Sequence, residues 1–219
     1  MGNKKVSVEE LEVWFSEPRL HRYRMYKNPE QVYRWNAHIT KELLVDIGHL
    51  EILLRNAVDR ALRQDNRYGT YWFQNTALPL SYQAQKSVAK AVERATRRGT
   101  RSLDAGRVIA ELPFDFWRYL FSKYYQATVW PKFASCLSTK VSRVEFERHL
   151  NFVYINRNRF SHHEPVIKGS YEEDVAYVQS LRTSIYFLAS LISDRAALWI
   201  EQNSSVNEGV RKHPDANCR

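Results

Sequence analysis

The chain has 219 residues, enough for one large domain or two small ones, each with a proper core. Its 44% apolar fraction suits a globular protein, and 33 basic against 24 acidic residues leave a charge of +9. That balance favours a polyanionic partner, nucleic acid first and an anionic membrane surface second.

Only two cysteines, Cys136 and Cys218, are present and they lie far apart. They exclude a disulfide framework and a cysteine-built zinc site, and point to a reducing compartment. The opening MGNKKVSVEELEVWF lacks the long apolar core of a secretory signal, and Val6 stands where a myristoylation pattern wants Ser or Thr. No stretch approaches the roughly 18 apolar residues of a membrane span. A soluble cytoplasmic protein with no membrane partner is expected.

Seven glycines and few alternating apolar runs argue against a sheet. Helical signals follow one another along the chain. Ser7 with Glu10 forms a capping box that opens an N-terminal helical extension, residues 1–28. That extension ends in RLHRYRMYKN (19–28), whose two tyrosines either pack on the bundle or stack on unpaired bases. From Pro29 to Gln64, Val32, Trp35, Ile39, Leu43, Ile47, Leu50, Leu54, Val58 and Leu62 recur every three or four residues, with Gly48 a possible bend.

The aromatic connection 66–80 leads to a helix over 81–98 and a short one near 104–111. The segment ELPFDFWRYLFSKYYQATVWP (111–131) is dense enough in rings to be buried or to line an interface, and Trp72, Trp117 and Trp130 belong to the core or a dimer contact. Ser142 and Glu145 start another helix, over 142–163. A last helix over 172–202 carries Val175, Val178, Leu181, Ile185, Leu188, Ile192 and Leu198, and the polar tail 203–219 is expected to be frayed or disordered. Residues 29–202 read as a single all-α domain.

The helix over 142–163 ends in YINRNRFSHHEPV (154–166). Glu164 precedes Pro165, which disfavours the α region, so the helix is expected to stop at about His163. His162 and His163 then sit in the last turn, where the helix dipole favours imidazolium. Asn158 and His162 share a face, and the long, forked side chain of Arg157 reaches the same neighbourhood. An imidazole beside a guanidinium suits phosphodiester cleavage: one moves protons and the other stabilises charge on the phosphoryl oxygens, with no metal required. One helix supplies half of this constellation, so the chemistry predicts a homodimer. Spacing alone decides nothing, because an Arg four to six residues before a His arises by chance about twice in a chain of this composition, and Arg143 with His149 also fits.

Several stretches taken together are more specific. LEILLRNAVD (50–59), FWRYLFS (116–122), VWP (129–131) and RNRFSHHEP (157–165) occur in an order and spacing that resemble the bacterial abortive-infection (Abi-like) family over about residues 29–200. The last motif resembles the Arg-polar-x-x-x-His signature of the HEPN superfamily. Its members are helical bundles that commonly dimerise and often act as metal-independent ribonucleases. The resemblance implies a HEPN-like bundle that acts on RNA with Arg157, Asn158, His162 and His163 as catalytic residues, and with no cofactor and no metal. It places the protein in phage defence or a toxin-like growth block, with an antitoxin or phage-derived trigger as a further partner. Asp115 stands where a glycine is common, and Phe160 with Ser161 where smaller aliphatic pairs are usual. The resemblance also admits a non-catalytic RNA- or protein-binding module that senses infection.

Two other groups have paired readings. Glu51, Arg55 and Asn56 either belong to a salt-bridge ladder continued by Asp59 or support the same cleft as Arg157. Lys86, Lys90, Arg94, Arg97, Arg98 and Arg101 form either a solvated helix face or a surface that tracks RNA phosphates.

Overall fold

The computed structural model describes residues 6–216; residues 1–5 of the extension and 217–219 of the tail, with Cys218, lie outside them. Among the described residues every regular element is a helix, and the class is all-α.

Helix α1 (Val8–Phe15) starts on the expected capping box: Ser7 Oγ accepts from the Glu10 N–H, and the Glu10 carboxylate accepts from the Ser7 N–H. Ser16, at φ 77°, breaks the chain into α2 (Glu17–Leu20) and a 3-10 turn over His21–Met25. Helix α3 (Pro29–Arg63) is the spine, 35 residues or about 52 Å long. All nine apolar positions of its expected stripe are buried, and Gly48 does not break it.

Helix α4 (Tyr82–Ala95) begins at Ser81, whose hydroxyl accepts from Ala84 N–H. Helix α5 (Ala105–Glu111) starts on Asp104. The aromatic segment forms α6 (Phe114–Tyr119), a 3-10 turn over Lys123–Tyr125 and α7 (Val129–Ala134). Trp72, Trp117, Phe121 and Phe133 are fully buried there, and Trp130 packs against the same core. Helix α8 (Arg143–Ser161) starts at Ser142, whose hydroxyl accepts from Glu145 N–H.

The expected last helix is two. Helix α9 (Tyr171–Ile192) ends at Ser193, which is extended (φ −167°) and whose hydroxyl accepts from Ala196 N–H to start α10 (Asp194–Asn203). The break shifts the helical phase, so Ala197 and Ile200 turn inward and Leu198, expected in the apolar stripe, is exposed.

The polar tail also needs correction. Residues 206–211 form α11 (Val206–Arg211), packed on α3, and Trp35 Nε1–H donates to the Gly209 carbonyl at 2.8 Å. Beyond it, His213 is buried against Trp35, Tyr26 and Tyr171. The reason is tertiary: Asp174 on α9 is buried and takes His213 Nε2 as a partner at 3.2 Å. One continuous core therefore runs from Leu11 to Val210, past both expected ends of the 29–202 domain.

No helix of the described residues is long and apolar enough to cross a membrane.

Candidate functional site

The end of α8 differs from expectation by two residues. The helix stops at Ser161, His162 is its cap residue (φ −94°), and His163 adopts the left-handed region at φ 58°. The N–H of His163 donates to Phe160 O at 2.9 Å and that of Glu164 to Arg159 O at 2.8 Å, which is the Schellman closure. Glycine usually occupies that left-handed position; a histidine there costs roughly 1 kcal/mol of backbone strain. The proline two residues on limits the helix, but the left-handed turn ends it.

Both histidines are exposed, and neither imidazole has a hydrogen-bond partner among the described residues. The His163 carbonyl accepts from Arg19 Nη1 at 3.2 Å, which ties this turn to α2. Arg157 and Asn158 are half-buried one turn earlier, and Arg157 Nη1 donates to Asn158 Oδ1 at 3.5 Å.

Helix α3 brings Glu51 within electrostatic range of Arg157. Burial pushes the Glu51 carboxyl above its usual range, and the guanidinium charges of Arg157 and then Arg55 oppose that shift. One carboxyl thus feels the charge of arginines from two helices, and no ion pair joins it to either. The Arg55 Nε is buried with no hydrogen-bond partner among the described residues. Asn56, the next residue, is exposed, and its side chain makes no hydrogen bond to the described residues. The proposed ladder does not run on to Asp59, whose carboxylate accepts from Arg63 Nε and Trp72 Nε1, both at 2.9 Å.

The second arginine of the RNR motif has a different task. Arg159 donates to Glu164 Oε2 at 3.0 Å, to the Pro165 carbonyl and to Tyr177 Oη, so it clamps the loop that leaves α8. Tyr177 Oη in turn donates to Oδ1 of buried Asn156. Sequence reasoning missed Asn156 and Arg159; an apolar-faced helix with a buried Asn was the available signal. The chance pair is structural as well: Arg143 binds the Phe121 carbonyl and Glu147, and His149 lies on Phe187.

The basic row is only partly free. Arg94 donates to the Glu111 carboxylate and carbonyl, Arg98 pairs with Glu93 at 3.4 Å, and Lys86 lies over the Tyr82 ring. Lys90, Arg94, Arg97 and Arg98 surround one open hollow, with Arg97 and Arg98 both in the left-handed region. Lys90, Arg97 and Arg101 have no ion-pair partner among the described residues, and Arg101 lies outside the hollow. No three His, Cys, Asp or Glu side chains of the described residues come together as metal ligands.

No family model, no curated protein and no solved structure matches this chain. What the fold does has to be read from its side chains.

Proposed function

We propose that this protein is a metal-independent endoribonuclease of the HEPN type, working as a homodimer in phage defence or as a toxin-like growth block. The observation that carries the reading is a helix end that holds half-buried Arg157 and Asn158 one turn before His162, whose imidazole is exposed and unpartnered among the described residues.

In the proposed reaction, the RNA 2′-oxygen bonds to the adjacent phosphorus as its proton passes to a base. The P–O5′ bond then breaks as the leaving oxygen takes a proton from an acid, giving a 2′,3′-cyclic phosphate and a 5′-hydroxyl. His162 serves as acid or base, and Arg157 stabilises charge on the phosphoryl oxygens. Asn158 orients the imidazole or the substrate. His163, one residue away, is the second proton-transfer group or its neighbour. A second copy related by a two-fold axis supplies the other set.

Glu51 and Arg55 support the reading as a positioning layer. The Glu51 carboxyl feels the charge of Arg157 on α8 and of Arg55 on its own helix, which ties α3 electrostatically to the end of α8.

The test is RNA cleavage by wild type and His162→Ala, with end-group analysis of the products. Loss of cleavage in the variant, with unchanged circular dichroism and oligomer mass, supports the reading. Wild-type protein that cuts no RNA with or without metal, and is tolerated on expression, ends it. The second reading, an RNA-binding module without cleavage, draws on the unpaired Lys90 and Arg97 at the basic hollow and predicts RNA binding with no product.

A further inference from the structure

A cavity of about 530 Å³ lies between the N-terminal helices and α3, bounded at one end by Phe160 and Ser161 of α8 and by His163 of the turn that follows. Its size is within the roughly 300–1,000 Å³ of small-molecule sites. The walls are aromatic: Phe15 and Tyr33 stack with centroids 5.7 Å apart, and Tyr23 meets Tyr33 edge-on at 5.3 Å. Phe15 remains 45% exposed.

One polar group lining it has bonding capacity to spare. Asn36, 7% exposed, uses its Oδ1 to accept from the Val166 N–H at 2.8 Å, which leaves Nδ2 without a partner among the described residues. The Thr40 hydroxyl, beside it, is sealed from the cavity and has no partner either. An amide N–H left without an acceptor at an apolar cavity is a donor that a bound ligand can use. On the rim are Arg19, which spends one N–H on the His163 carbonyl, and Lys41, 3.5 Å from Glu42. Glu164 is there too, but its charge is offset by Arg159 at 3.0 Å.

Aromatic walls, a fixed amide donor and a cationic rim together match one ligand chemistry, a planar heteroaromatic ring carrying a phosphate. We propose that this cavity binds a single unstacked nucleotide, its base against the Phe15–Tyr33 pair and bonded to Asn36 Nδ2, its phosphate on Arg19 and Lys41. The nucleotide comes either from an RNA strand or free in solution. Only the strand source rests on the ribonuclease reading, since such a strand would pass His163 on its way to His162.

Calorimetric titration of the full chain with uridine and adenosine 5′-monophosphates, and with single-stranded RNA octamers, tests this. Asn36→Asp keeps the shape and the oxygen that accepts from the Val166 N–H and removes the amide donor; Arg19→Gln removes the rim charge. Each is expected to weaken binding by about three- to tenfold, with the melting temperature as a folding control. If the monophosphates bind wild type and the variants weaken them, the site takes free nucleotides. If only octamers bind and weaken likewise, the strand is the source. No binding of either ligand to wild type, or unchanged affinity in both variants, overturns the proposal. Nucleotide binding by wild type that cleaves no RNA removes the ribonuclease reading and leaves the pocket standing.

Discussion

His213 and Asp174 meet in the interior, Nε2 to Oδ2 at 3.2 Å, with both side chains fully shielded from solvent. The Asp174 carboxylate also accepts from Tyr26 Oη at 2.7 and 2.9 Å and from the Lys168 N–H at 2.5 Å. The Asp215 N–H donates to His213 Nδ1, so the ring carries its proton on Nε2, aimed at Asp174. One acidic side chain on α9 thus joins the N-terminal segment, the loop after α8 and the C-terminal segment. His213→Ala leaves a cavity and removes a donor, and is expected to cost about 2–4 kcal/mol. In a chain of this size that lowers Tm by roughly 5–15 °C. An unchanged melting curve would mean that the C-terminal segment does not dock.

His149 gives a pH dependence with a defined sign. Its Nε2 lies 2.9 Å from Arg148 Nη2 and its Nδ1 3.0 Å from Ser184 Oγ. A guanidinium only donates, so Nε2 accepts and the proton sits on Nδ1, facing Ser184, whose own hydroxyl donates to the Ser180 carbonyl. Burial, then the Arg148 charge, hold this imidazole below its ordinary value of 6.5, with Glu145 opposing. The unfolded chain therefore takes up this proton first as the solution is acidified. The stability His149 contributes is complete above the unfolded value and is lost as the pH falls through it toward the folded one. Denaturant titrations at about pH 7.5 and about pH 5.5 should show wild type losing stability relative to His149→Gln on the acid side. An equal difference at both pH values rejects the assignment.

The spine was plain in the sequence because nine apolar side chains of α3 at three- and four-residue spacing admit one buried face. The α9–α10 break was not, because Ser193 interrupts an apolar periodicity that runs on through it, and a serine cap inside such a run gives no clear signal. Docking of the C-terminal segment depended on Asp174, a buried charge whose partner is 39 positions away in sequence. Within the candidate site, the polar run at the end of α8 marked Arg157 in the sequence, whereas its electrostatic link to Glu51 depends on how α3 lies against α8. The left-handed turn at His163 was not, because nothing local distinguishes it from one more helical residue. The cavity beside Asn36 arises from how α3 meets the N-terminal helices and the end of α8, which no local pattern records.

The basic hollow on α4 separates binding from folding. Lys90 and Arg97 are exposed and without ion-pair partners, whereas Arg94 fastens α4 to α5 through Glu111. Replacing Lys90 and Arg97 together by Gln is expected to leave Tm unchanged. If RNA phosphates lie here, the same double variant reduces the slope of log affinity against log salt for single strands by about 1.4. Arg94→Gln should instead lower Tm. A double variant with an unaltered salt slope assigns these cations to a solvated face.

Arg157 can be tested for charge and geometry separately, because Glu51 reports on it. Burial raises the Glu51 carboxyl, so the folded chain holds this proton more tightly than the unfolded one, and stability falls as the pH rises through the carboxylate range. Arg157 opposes that rise. Arg157→Met removes the opposition: the Glu51 titration, followed by carboxyl carbon NMR, should move to higher pH and the fall in stability should extend further. Arg157→Lys keeps a charge near Glu51 and should leave that titration close to wild type. Cleavage should not follow the same pattern, because a planar fork that spans two phosphoryl oxygens is lost in both variants. Under the proposed mechanism each lowers the cleavage rate by about 10²–10³. A Lys variant that cleaves like wild type would reduce Arg157 to a point charge. A Met variant with an unmoved Glu51 titration would separate α3 from the site altogether.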